Sequence, residues 1–191
     1  MGVIQTETNE TLQWYNLVIE AEGNSECNLP ETSESYLVFL LHRFAQKPEI
    51  AGSVLALAFL DSMNAIGKSR VNALRDVGDQ CLLFAGFFPE QASKKLVNVG
   101  YFIDLGRTAY DEISNLHHSE SAEVFEELTE QYLSMLQILH AIRNMNDRNR
   151  IPPLLAMEIW QETNSQEMLR CIDSGKDSIL VNNYDFLKVK H

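Results

Sequence analysis

Asp76 and Asp79 stand three residues apart in an apolar-rich run. A helix puts such a pair on one side, close enough to share Mg²⁺ or to divide acid and base work between two carboxylates. Asp104, Arg107 and Tyr110 follow at steps of three in the next helical stretch. These five residues form a candidate ligand-binding set, in a polar cleft between the helices expected at 71–88 and 97–116. The plainer expectation competes with it. By helical angle Asp76 and Asp79 lie with Asn72 and Arg75, away from the stripe of Val71, Leu74, Gly78, Cys81, Ala85 and Phe88, which predicts a solvated face and an Asp79–Arg75 pair. Leu83 continues the Asp79 face one turn later, which would set the aspartates at the mouth of a buried region. Nothing in the chain assigns a catalytic residue.

Other chemistries lack their residues. Gly67-Lys68-Ser69 resembles the end of a phosphate-binding loop, but the first glycine of that motif would fall at Ser62, and a helix rather than a strand precedes it. Inward Glu-x-x-His pairs, which point two ligands at one metal, are absent: Phe39, Ser114, Asn115 and Gln137 stand three before His42, His117, His118 and His140. No metal site and no cofactor are expected. Helix-interior glycines are the informative oddity, because Gly78, Gly86, Gly100 and Gly106 each cost roughly 1 kcal/mol relative to alanine. Gly78 and Gly106 fall on inward stripes, where close helix approach is the ordinary reason and room for an apolar ligand the other.

A net charge of -12 repels phosphate backbones and anionic headgroups, so neither nucleic acid nor a membrane is expected as partner. Three cysteines, Cys27, Cys81 and Cys171, with no Cys-x-x-Cys, suggest neither a disulfide framework nor a zinc knuckle. With no basic-then-apolar start to the chain, the expected location is cytoplasmic.

The elements that would position these residues are helices. At 191 residues the chain fits one domain, read as all-α: a polar flexible tail over 1–11, a multi-helix bundle over 12–175 and a C-terminal extension over 176–191. Leu12, Tyr15 and Ile19, with Trp14 and Val18, suit an amphipathic first helix. Residues 50–60 are apolar all the way round at helical pitch, Ser53 excepted, and predict a buried central helix wrapped by the others. Phe125, Leu128, Tyr132, Met135, Leu139 and Ile142 recur at alternating threes and fours, a heptad seam on one long helix running from about 119 to 147. The stretch 179–186, with Asn182-Asn183 at its middle, predicts a small β-hairpin.

The run Asp76-Val77-Gly78-Asp79-Gln80-Cys81-Leu82-Leu83-Phe84-Ala85-Gly86-Phe87-Phe88-Pro89, followed by Tyr101-Phe102-Ile103-Asp104-Leu105-Gly106, resembles a group of small helical proteins of gamma-proteobacteria with no established activity. The likeness covers roughly residues 35–110. It implies a bacterial cytoplasmic protein and brings no activity with it. The expectation is therefore a non-enzymatic protein-interaction module that binds a protein or itself, as a homodimer through the 125–142 seam or another apolar face. The alternative is a small-molecule binder or enzyme using the polar cleft.

Overall fold

The computed structural model describes residues 3–46, 55–94, 97–116 and 121–174. They form an all-α multi-helix fold: α1 (Val3–Ser25), α2 (Glu31–Gln46), α3 (Leu55–Asn64), α4 (Lys68–Phe87), α5 (Glu90–Lys94), α6 (Val99–Ser114), α7 (Ala122–Glu130), α8 (Tyr132–Asn144), a 3₁₀ turn (Asp147–Asn149) and α9 (Pro153–Thr163). A last helix, α10, covers 166–174. The predicted hairpin at 179–186 lies outside the described residues. Helix α1 begins at Val3, so most of the expected N-terminal tail is helical.

The middle of the fold is α4, which packs against α3, α6 and α8. From Cys81 to Gly86 every residue of α4 is buried, as its unbroken apolar run demands. The predicted centre at 50–60 is corrected. Residues 50–54 lie outside the described residues, and α3, which carries the rest, lies on the surface: Leu55 and Ser62 are buried, Ala58 and Phe59 half-buried, while Leu57 and Leu60 are each 59% exposed. Among the described residues, the all-round apolar run that is enclosed is the one in α4, Cys81 to Gly86.

Helix ends are tied by side chains. The Asn98 side chain accepts from the Tyr101 N–H at 2.9 Å to start α6. Glu127 of α7 accepts from both the N–H (3.0 Å) and the hydroxyl (2.7 Å) of Ser33, satisfying the first turn of α2 from another helix. Arg143 of α8 forks onto Glu90 of α5 and donates to the carbonyls of Phe87 (3.2 Å) and Asn149 (2.7 Å), closing the C-terminal end of α4.

The single long helix expected over 119–147 is two helices divided at Gln131. Bonds from the Gln131 N–H to Glu127 (2.8 Å) and from the Met135 N–H to Gln131 (2.9 Å) carry the register through the break. Its apolar stripe therefore stays on one side, facing α4 and α6. Gly86 of α4 admits α8: an added Cβ would lie 2.7 Å from Leu139 Cβ. Because that neighbour is fixed to its own backbone, Gly86→Ala is expected to destabilise the fold by about 2 kcal/mol despite alanine's better helix propensity. Urea denaturation measures this; an unchanged or raised stability would show that α4 and α8 are not in close contact at Gly86 and Leu139.

Candidate functional site

The five predicted ligand residues separate into two groups. Asp104 and Arg107 face solvent on α6, and Asp76, 54% exposed, pairs with Arg75 at 3.4 Å. Asp79 and Tyr110 meet in the interior, both with no exposed surface. The expected Asp79–Arg75 pair does not form, since Asp79 points inward and takes its partners from other helices. Its Oδ1 accepts from the hydroxyls of Tyr110 on α6 and Tyr36 on α2, each at 2.6 Å, and its Oδ2 accepts from Arg43 Nη2 on α2.

The glycines explain how this cluster is seated. A Cβ at Gly78 would collide with the Tyr110 ring, and one at Gly106 with the Tyr132 hydroxyl and with Cys81 Cβ at 2.8 Å. Gly78 thus makes the slot through which the Tyr110 ring delivers its hydroxyl to Asp79, the next residue along. The aromatic rings of Tyr36, Tyr110, Phe125 and Tyr132 then close around the carboxylate, with centroids 5.2 to 6.1 Å apart in edge-on pairs. The polar cleft expected between α4 and α6 is therefore corrected: tyrosines fill the space that the glycines open.

Burial raises the Asp79 carboxyl above its ordinary pKa, opposed by Arg43 and the two phenols. Burial, reinforced by the neighbouring Asp79, holds Tyr36 and Tyr110 protonated far above the usual range, so both remain donors. Burial works against the charge of Arg43, yet Asp79 outweighs it and raises the Arg43 pKa. Every oxygen of Asp79 is used within the protein. The arrangement is a tie among three helices and offers no open face to a reactant.

The heptad seam is likewise spent inside the chain. Phe125, Leu128, Tyr132, Met135 and Leu139 are buried and Ile142 half-buried, so the seam serves intrachain packing and is not a free interface. His140, between seam positions, is also fully buried; its Nε2–H donates to the Ala85 carbonyl at 3.1 Å. Burial lowers its pKa from 6.5 to about 4.

Two surface features bear on binding, neither of which the periodicity singled out. A groove of about 630 Å³ lies where the end of α8 and the turn after it face α10, lined by Asn144, Met145, Arg150, Ile151, Arg170 and Cys171 among others. Its polar atoms are largely engaged: Asn144 Nδ2 donates to Glu167 (2.8 Å) and to Cys171 Sγ (3.1 Å), and Arg170 donates to Glu26 (2.9 Å). The second feature is the outer side of α3 and the turn after it, where Leu57, Leu60, Met63 and Ile66 are 59, 59, 38 and 88% exposed. The all-round apolar composition of 50–60 was the signal for this surface, read as burial. No described helix is long and apolar enough to cross a membrane. No family model, curated protein or solved structure matches the chain.

Two measurements test the buried groups. Tyr110→Phe keeps the ring and removes one charge-assisted hydrogen bond, so a loss of about 2 kcal/mol in urea denaturation is expected. Tyr132→Phe, whose hydroxyl has no hydrogen-bond partner among the described residues, is expected to cost nothing; equal losses would contradict the tie. His140 binds its proton more weakly folded than unfolded. Its contribution is therefore complete above pH 6.5 and lost as pH falls toward about 4. Relative to His140→Gln, the wild type should lose on the order of 3 kcal/mol across that window, and parallel stability–pH curves would refute this.

Proposed function

We propose that this protein is a non-enzymatic helical interaction module that associates through the outer apolar side of α3. One observation carries the reading: four large apolar side chains, Leu57, Leu60, Met63 and Ile66, are grouped in solvent on one short helix and its turn. Isolated exposed apolar residues are ordinary, whereas a contiguous patch rimmed by polar groups marks a binding surface. The inward use of Asp79 and Tyr110 supports the non-enzymatic part, because the carboxylate singled out by its spacing is already saturated with donors. The three unpaired cysteines fit a reducing compartment, so we place the protein in the cytoplasm. Bacterial origin rests on the resemblance of the segment 76–106 alone.

A partner of matching apolar character, including a second copy, suits the patch better than an anionic lipid surface or a nucleic acid, which the charge of -12 disfavours. Leu57→Glu/Leu60→Glu tests the reading. In size-exclusion chromatography with light scattering, the wild type is expected above monomer mass and the variant at monomer mass. Because both positions face solvent, helicity and melting temperature should stay unchanged. A wild type with the mass and behaviour of a monomer at high concentration, or a variant that melts many degrees lower, counts against it.

A second reading, small-molecule binding, is favoured by the groove at Asn144 and Cys171, whose volume falls in the range of ligand sites. Native mass spectrometry of gently purified protein decides it: a retained small molecule supports this reading, and a bare chain opposes it.

A further inference from the structure

The groove beside α10 holds one buried acid whose hydrogen bonding is incomplete. Glu167 of α10 lines the groove and is 9% exposed. Its Oε1 accepts from Asn144 Nδ2 at 2.8 Å. Its Oε2 accepts no hydrogen bond among the described residues. Arg170 Nη1 stands 3.7 Å from it, beyond the length of about 2.7–2.9 Å at which a charge-assisted bond forms. That arginine is turned elsewhere, Nη1 to the Asn24 carbonyl and Nη2 to Glu26 at 2.9 Å. Buried polar groups as a rule find their partners, so Oε2 is an acceptor left over at the groove.

The other groups of the groove point to the same ligand chemistry. Asn144 Nδ2 spends its donors on Glu167 and on Cys171 Sγ at 3.1 Å, and the Ser174 hydroxyl donates to the Arg170 carbonyl at 2.8 Å. Arg150, also in the lining, is exposed, and water screens its pull on a ligand charge. The interior of the groove therefore asks its ligand for a donor. Its wall is aliphatic, with Met145, Ile151 and Pro152. No aromatic ring is among the described residues that line it, so the face that would hold a quaternary ammonium by cation–π attraction is missing, and recognition falls to hydrogen bonding.

We infer that this groove binds a small aliphatic primary amine, its ammonium group donating to Glu167 Oε2 and its hydrocarbon body lying on Met145, Ile151 and Pro152. This deepens the small-molecule reading and rests on it. An ammonium suits the position because it donates and has no lone pair, whereas a carboxylate ligand meets Oε2 with its own negative charge. A neutral alcohol donates too, but lacks the charge that roughly doubles the strength of a hydrogen bond to a carboxylate. Glu167 is in place before the ligand arrives, since Asn144 holds Oε1 and is itself fixed by the Ile151 N–H, which donates to Asn144 Oδ1 at 3.1 Å. The chain's charge of -12 draws small cations toward it.

NMR titration of the full chain with hexylamine at neutral pH, where it is an ammonium ion, tests the inference. Backbone amide signals of residues 144–151 and 167–171 should shift and saturate. Hexyltrimethylammonium keeps the chain and charge without an N–H, and hexanoate reverses the charge; each should bind on the order of tenfold more weakly or worse. Glu167→Gln should weaken hexylamine by a similar factor. Met145→Trp, at an exposed position, should fill the groove and weaken it with the melting temperature unchanged; should Glu167→Gln not fold, this variant and the ligand series decide. Hexyltrimethylammonium or hexanoate binding as tightly as hexylamine, or hexylamine binding undiminished in a folded Glu167→Gln, overturns the amine assignment and leaves the small-molecule reading standing. If no probe moves these signals, the inference falls, and the small-molecule reading falls with it when the purified chain is also bare in native mass spectrometry.

Discussion

A carboxylate with no exposed surface has to be held by donors brought from elsewhere in the chain, and that requirement fixes how α2, α4 and α6 meet. Removing Asp79 from water costs several kcal/mol. Two phenol hydroxyls and one guanidinium, each contributing about 1.5–3 kcal/mol as a hydrogen bond to a charged group, offset a cost of that size. The net gain is small, and the effect lies in selection. A shift of register would carry Tyr36, Arg43 or Tyr110 away from Asp79, and such mispacked arrangements leave a buried charge short of donors.

The glycines follow from this constraint. Gly78 and Gly106 are expensive in a helix, and each stands where a tyrosine side chain must pass close to a backbone. The seam of α7 and α8 follows as well: Phe125 and Tyr132 form part of the aromatic wall around Asp79, so residues that could have zipped two chains together are used within one. With carboxylate, tyrosines and seam turned inward, the large apolar side chains left in solvent are peripheral, among them Leu57 and Leu60 on α3, Leu12 on α1 and Leu154 on α9.

Helix type, the inward stripes of α4 and α6 and the significance of Gly78 and Gly106 were legible in the sequence because each is a matter of spacing along one helix. The partners of Asp79 were not, since Tyr36, Arg43 and Tyr110 are 43, 36 and 31 residues away. Local spacing offered Arg75 instead, and that arginine turns to Asp76. Residues 50–60 show a different limit. Apolar composition states that a helix would gain from being enclosed, without stating by what. Enclosure within the chain fell to the end of α4, and Leu57 and Leu60 were left outside. Likewise, heptad spacing in 125–142 predicted a buried seam but not whether its neighbours belong to the same chain.

A fold held by an inward polar tie, with its leftover apolar surface on α3, makes one claim above the others: α3 is exposed in the single chain and covered when chains meet. Amide hydrogen exchange read by mass spectrometry at low and high protein concentration addresses this directly. Exchange in residues 55–66 should slow at high concentration, while the interior of α4 exchanges slowly at both. Identical exchange in 55–66 at the two concentrations would contradict the account.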